Sequence, residues 1–145
     1  MNFKVVVHTK IARPIAEVFD AVVNPEKVSS YFALGGVSAP MVEGKNVLWK
    51  FKDISYEQNM KIRKLVKNEK IELDWFTEDG KKTEVILTFD KIGENRTMIT
   101  IVHSGYEQNQ KALDDSYEHC EGWTVMLASM KAYLEHGIVL AEDYW

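Results

Sequence analysis

The chain has 145 residues, a hydrophobic share of 46%, a charged share of 28% and a formal net charge of −4, values ordinary for one soluble domain over residues 1–145. Cys120 is the single cysteine, which excludes an internal disulfide. No apolar run approaches the ~18 residues that span a bilayer, and the N-terminus MNFKVVVHTK has no signal-peptide core, so a cytoplasmic location is expected.

The charge is unevenly placed. Residues 1–110 hold 16 Lys+Arg against 15 Asp+Glu, whereas residues 111–145 hold 2 against 7. An acidic closing segment argues against nucleic acid as a partner, because phosphates repel carboxylates. The lysines between Lys61 and Lys70 alternate with apolar residues, as on a solvated strand face.

In chain order, Phe3, Val5, Val7, Thr9 and Ile11 alternate as a half-buried strand. Pro14 suits the first turn of a helix that carries Ile15, Val18, Phe19 and Val22 on one face. Asn24-Pro25 stops it, and Asn24 is placed to cap a second short helix through Phe32. Gly35-Gly36 then opens a loop; no Gly-Lys-Ser/Thr follows, so it is no phosphate loop and is read as a hinge. From residue 45 the period changes to two. Val47, Trp49 and Phe51 share a face; after a tight Lys52-Asp53 connection, so do Ile54, Tyr56, Gln58, Met60 and Ile62. Asn68-Glu69 is a turn, Ile71, Leu73 and Trp75 face inward, and Asp79-Gly80 is a hairpin signal. Val85, Leu87 and Phe89 follow, then a turn over Gly93 to Asn95, and a last strand with Ile99, Ile101 and His103 on one face. The final helix starts near Leu113 or Asp114 and ends at Gly137, with Trp123, Met126, Leu127, Met130, Tyr133 and Leu134 on one broad face. Gly122 lies inside it and is explained by close packing of Trp123 or by a bend.

The order β-α-α-β-β-β-β-β-α predicts an α+β fold: a curved, six-stranded antiparallel sheet around a long C-terminal helix, with two short helices after the first strand. The first strand pairs with a distant one. A sheet of six strands is ~24–29 Å wide and a helix only ~10–12 Å, so the sheet must curl, and an apolar chamber is left between sheet and helix. Large aromatics and methionines suit such a chamber; packing in a plain core accounts for any one of them equally well.

TKIARPIAEVFDAVVNPEKVSSYF resembles the opening of the SRPBCC superfamily, the START-like and Bet-v-1-like helix-grip domains, with Arg13-Pro14 as the step into the helix and Val18-Phe19 after it. LTFDKIGENRTMITIVHSGY resembles the last two strands of the branch called activator of 90-kDa heat-shock protein ATPase homologue, through Thr97 and the run His103 to Tyr106. Gly122-Trp123 and the spacing of Leu127, Met130 and Tyr133 match that branch's closing helix. The resemblance implies a deep apolar cavity for small hydrophobic ligands but no single activity. The branch's chaperone co-activators carry an extra N-terminal domain, whereas this chain begins at the first strand of the grip, which weakens that role.

The expected ligand-binding set is Trp49, Tyr56, Gln58, Met60, Trp75, His103, Trp123, Met126 and Met130, with Tyr31 and Phe32 closing the mouth as a lid. His103 on an inward face is either an acid–base group or a satisfied structural histidine. Asp115, Glu118, His119 and Cys120 have metal-ligand chemistry, but adjacent helical positions diverge; carboxylates at a helix start are the commoner reading, and Cys120 is read as a packed thiol. No catalytic residue, metal or cofactor is therefore assigned. The function expected is binding of a small apolar molecule; the alternatives are a chaperone ATPase cofactor and a cyclase- or hydrolase-type enzyme using His103. A homodimer is left open.

Overall fold

The computed structural model describes residues 2–144. Its elements are β1 (Val5–Ile11), α1 (Ile15–Val23), α2 (Pro25–Tyr31), β2 (Gly36–Val37), β3 (Asn46–Lys50), β4 (Glu57–Val66), β5 (Lys70–Phe76), β6 (Lys82–Gly93), β7 (Arg96–Ser104) and α3 (Gln110–His136). The strands form one curled antiparallel sheet in the order β1-β7-β6-β5-β4-β3-β2. β1 pairs with β7, Val5 opposite His103 and Ile11 opposite Thr97.

Local chemistry sets the boundaries. The Asn24 side chain accepts from the Glu26 N–H at 3.0 Å and caps α2, with Pro25 in the first turn. Asn68 (φ 61°) and Gly80 (φ 80°) take the left-handed conformation in their turns. Arg63 is an extra residue in β4, between Ile62 opposite Leu73 and Lys64 opposite Glu72. Such a bulge bends a strand and deepens the curl.

Four expectations are corrected. The sheet has seven strands, because Gly36 and Val37 pair with Lys50 and Trp49; two residues are too short to show a period. Gly35 is accordingly wedged, since a Cβ there would lie 2.9 Å from the backbone carbons of Lys50 and Phe51, and its N–H donates to the Lys50 carbonyl at 3.0 Å. That is a pinned contact rather than a hinge. Residues 51–56 form a loop, so Ile54 and Tyr56 precede β4 rather than belonging to it. Finally, α3 starts at Gln110, because the Asn109 side chain accepts from the Ala112 N–H at 2.8 Å; its first turn faces solvent and carries no apolar period.

The long helix lies along β1 rather than over the middle of the sheet. Lys131 Nζ donates to the Lys10 carbonyl at 2.6 Å, and the Ala12 N–H donates to Glu135 Oε2 at 3.0 Å. The Thr97 hydroxyl donates to the Arg13 carbonyl at 2.9 Å and fixes the step from β1 into α1. The far strands therefore stand off from α3, and large side chains bridge the gap. Trp49, Met60, Met126 and Met130 are fully buried in the same core as Leu73, Leu87, Ile99 and Ile101. α1 and α2 close one end, with Phe19 edge-on to Phe89 at 5.0 Å. The centre, where the chamber was expected, is packed.

Candidate functional site

Open volume lies at the other end, beside the N-terminal half of α3, as a cleft of about 290 Å³. Trp75 from β5 and Trp123 from α3 line it together, ring centroids 4.9 Å apart. Phe32, after α2, and Phe51, Ile54 and Tyr56, from the β3–β4 loop, make a second wall. Phe32 meets Phe51 edge-on at 5.3 Å, and Phe51 stacks on Tyr56 at 5.9 Å. The rim is polar, with Thr77 and Glu78 from the β5–β6 turn and Lys111, Asp115, Glu118 and His119 from α3. Gly122 completes the helix side, and a Cβ built there meets nothing within 4 Å. Its missing side chain is thus part of the cleft volume.

Behind this lining, hydrogen bonds running in one direction link the Trp123 indole to the main chain of Trp75. Trp123 Nε1–H donates to His103 Nδ1 at 3.1 Å. The ring proton therefore sits on Nε2, which donates to Thr83 Oγ1 at 2.7 Å, and the Thr83 hydroxyl donates to the Trp75 carbonyl at 3.3 Å. His103 is fully buried, and burial followed by the neighbouring His119 pushes its pKa down to about 2. A second proton would confront the Trp123 N–H donor, so the ring is held neutral. With both nitrogens engaged, His103 is a structural histidine.

His119 stacks on His103, centroids 4.4 Å and planes 11° apart. Its Nδ1 lies 2.7 Å from the Tyr106 hydroxyl. Burial raises the Tyr106 pKa, so that group keeps its proton and donates, leaving the His119 proton on Nε2. Burial lowers the His119 pKa to about 4, against an opposing pull from Asp115. His119 is thereby a neutral member of the cleft lining. The Trp75 indole N–H is buried without a hydrogen-bond partner.

Of the expected binding residues, Tyr56, Trp75 and Trp123 line the cleft; Trp49, Met60, His103, Met126 and Met130 are buried behind or away from it. Gln58 is buried, donates to the Asn59 and Phe76 carbonyls, accepts from the Tyr56 hydroxyl, and borders a second hollow beside Tyr56. Of the two lid residues, Phe32 is wall, and Tyr31 is a core residue whose hydroxyl donates to the Ala21 carbonyl at 2.9 Å. Cys120 is exposed rather than packed, since it faces away from the sheet. Among the described residues no group of three His, Cys, Asp or Glu is arranged to hold a metal. Missing from the expected set are Phe51, Ile54, Thr77, Glu78 and Gly122, together with the polar helix residues Lys111, Asp115, Glu118 and His119. The helix spacing of Lys111, Asp115, Glu118, His119 and Gly122 carries a readable signal: three- and four-residue steps along one stripe.

A curled antiparallel sheet gripping a C-terminal helix, with two short helices at one end, defines a helix-grip protein. The family described as Activator of Hsp90 ATPase homolog 1-like protein matches residues 12–135, and the chain belongs to that family. No curated protein sequence matches it. Similar folds include protein SSP2350 from Staphylococcus saprophyticus, at 22% identity over 95% of this chain and 96% of that one, TM-score 0.78. The Aha1 dimer from Colwellia psychrerythraea is 19% identical over 93% and 98%, TM-score 0.75. PFC0360w from Plasmodium falciparum, described as an HSP90 activator, is 17% identical over 92% and 96%, TM-score 0.72. Among the described residues no helix is long and apolar enough to cross a membrane.

Proposed function

We propose that the cleft between α3 and the β3–β4 loop binds a small, mainly apolar molecule. One observation carries the reading: five aromatic side chains, Phe32, Phe51, Tyr56, Trp75 and Trp123, converge on about 290 Å³ of open space in a protein whose centre is otherwise packed. A volume of that order is at the small end for ligand pockets, and aromatic walls with a few polar groups are their usual lining. Catalysis by His103 is not part of the reading, because both ring nitrogens are spent on Trp123 and Thr83. Native mass spectrometry of freshly purified protein, with amide NMR of a fragment titration, tests it. Retained adducts or shifts clustered at residues 51–56, 75–78 and 111–123 support it. Fragments that shift none of these amides, with no adduct mass, overturn it.

The family and the Plasmodium relative described as an HSP90 activator favour a second reading, a chaperone ATPase cofactor. Stimulation of chaperone ATPase by the purified chain supports that role, and unchanged turnover at saturating protein removes it.

A further inference from the structure

The rim of the cleft is not neutral. Three carboxylates line it, Glu78 from the β5–β6 turn and Asp115 and Glu118 from α3, against a single ammonium, Lys111. Lys111 is committed to Asp115, with Nζ 2.9 Å from Oδ2. Glu78 and Glu118 make no ion pair within 4.0 Å among the described residues. They stand on different elements, so negative charge reaches the cleft from more than one side. The Tyr56 hydroxyl registers it: burial first, then Glu78, Glu118 and Asp115 in turn, push its pKa up to about 12. His119, the histidine of the lining, is neutral near pH 7 and offers no positive charge to offset the acids.

Beneath this rim lie the aromatic side chains of Trp75, Trp123, Phe51 and Tyr56. Aromatic faces carry negative quadrupole charge and attract cations, most strongly where water is partly excluded. An anionic guest would meet both repulsions; a neutral one would use only the apolar walls. Resting on the cleft as the binding site, we infer that it selects cationic amines carried on an aromatic or apolar body, the body against Trp75 and Trp123 and the ammonium toward Glu78 and Glu118.

The test uses the full chain and three probes with one naphthyl body: 1-naphthalenemethanol, 1-naphthalenemethylamine and 1-naphthoic acid, titrated calorimetrically at pH 7.5. The amine is expected to bind about tenfold more tightly than the alcohol, and the acid more weakly than either. The amine-to-alcohol ratio should fall with added salt and collapse toward one in the double variant Glu78→Gln/Glu118→Gln, whose sites are exposed. Binding of the alcohol with no advantage for the amine overturns the charge preference and leaves the apolar cleft standing. If none of the three binds, the cleft itself fails as a site. An amine advantage that survives the double variant undiminished also overturns the role given to the two glutamates.

Discussion

Gly122 offers the sharpest separation of stability from binding. It sits inside α3, where glycine is roughly 1 kcal/mol worse than alanine. A Cβ at this position meets no heavy atom within 4 Å. Gly122→Ala should therefore recover about 1 kcal/mol, which for a domain of this size raises Tm by roughly 4 °C. The added methyl projects into the cleft, and Gly122→Leu projects further into its 290 Å³. We expect the leucine variant to weaken 1-naphthalenemethanol binding by about tenfold or more, equivalent to roughly 1.4 kcal/mol of overpacking. Thermal melts by circular dichroism and calorimetric titration read the two effects separately. A lower Tm for the alanine variant would mean the space is not there. A leucine variant that melts like the wild type and binds the alcohol equally well would mean the ligand does not sit against this stretch of α3.

Three further outcomes are expected. Gly35→Ala should behave oppositely to Gly122→Ala, destabilising by about 2 kcal/mol in urea titration, because its Cβ meets backbone 2.9 Å away; a neutral result would show that β2 yields easily. His103→Ala should cost about 3 kcal/mol, since it opens a buried hole and strands the Trp123 N–H; a loss under about 1 kcal/mol would remove the structural role argued for the ring. The two stacked histidines should also make the fold acid-sensitive. Their folded pKa values, about 2 and about 4, lie below the ordinary 6.5, so as pH falls through 6.5 the unfolded chain takes up protons that the folded rings refuse. Stability is then complete above that value and declines below it, by up to about 1.4 kcal/mol per pH unit for each ring. His119→Gln should reduce the slope between pH 6.5 and 5, above the range of the carboxylates; an unaltered slope would mean that folded His119 already carries a proton.

The strands and helices of this chain announce themselves where a period runs long enough. β7, with Ile99, Ile101 and His103 inward, and α1, with Val18, Phe19 and Val22 buried, follow their sequence patterns. β2 does not, because two residues have no period. Ile54 and Tyr56 continue the alternation of Gln58, Met60 and Ile62 but fall in a loop, since Lys50 pairs with Glu57 and ends the ladder there. The site was half legible. Trp75 and Trp123 are inward by period, and the aromatic composition points to a cleft wall. Its position was not legible, because alternation says that a residue faces inward without saying whether a neighbour fills the space in front of it. Met60 and Met130 read the same as Trp75 in sequence, yet the first two meet a packed core and the third an opening. Nor does a polar stripe such as Lys111, Asp115 and Glu118 distinguish a solvent face from a rim until the opposite wall is known.

Three positions on which the sequence resemblance rests, Thr97, His103 and Tyr106, are joints of the fold. Thr97 holds the Arg13 carbonyl at the entry to α1, His103 joins Trp123 to Thr83, and Tyr106 holds His119. Each is a buried or part-buried polar bond whose loss leaves a partner unsatisfied, so such residues specify the grip irrespective of what it holds. The cleft follows from the same geometry. Because α3 is fastened to β1, the space between helix and sheet widens toward β3, β4 and β5; α1 and α2 fill it at one end, and at the other only side chains reach across. The indole side of that opening is braced by the bond chain through His103. The opposite side is the loop over residues 51–56, held at its base by the Lys50–Glu57 pair and outside by Lys52 Nζ, 2.7 Å from Glu142 Oε1. If the cleft binds as proposed, adaptation to guests of different shape falls to Phe51, Ile54 and Tyr56, and substitutions there are expected to alter binding without disturbing the joints that make the fold.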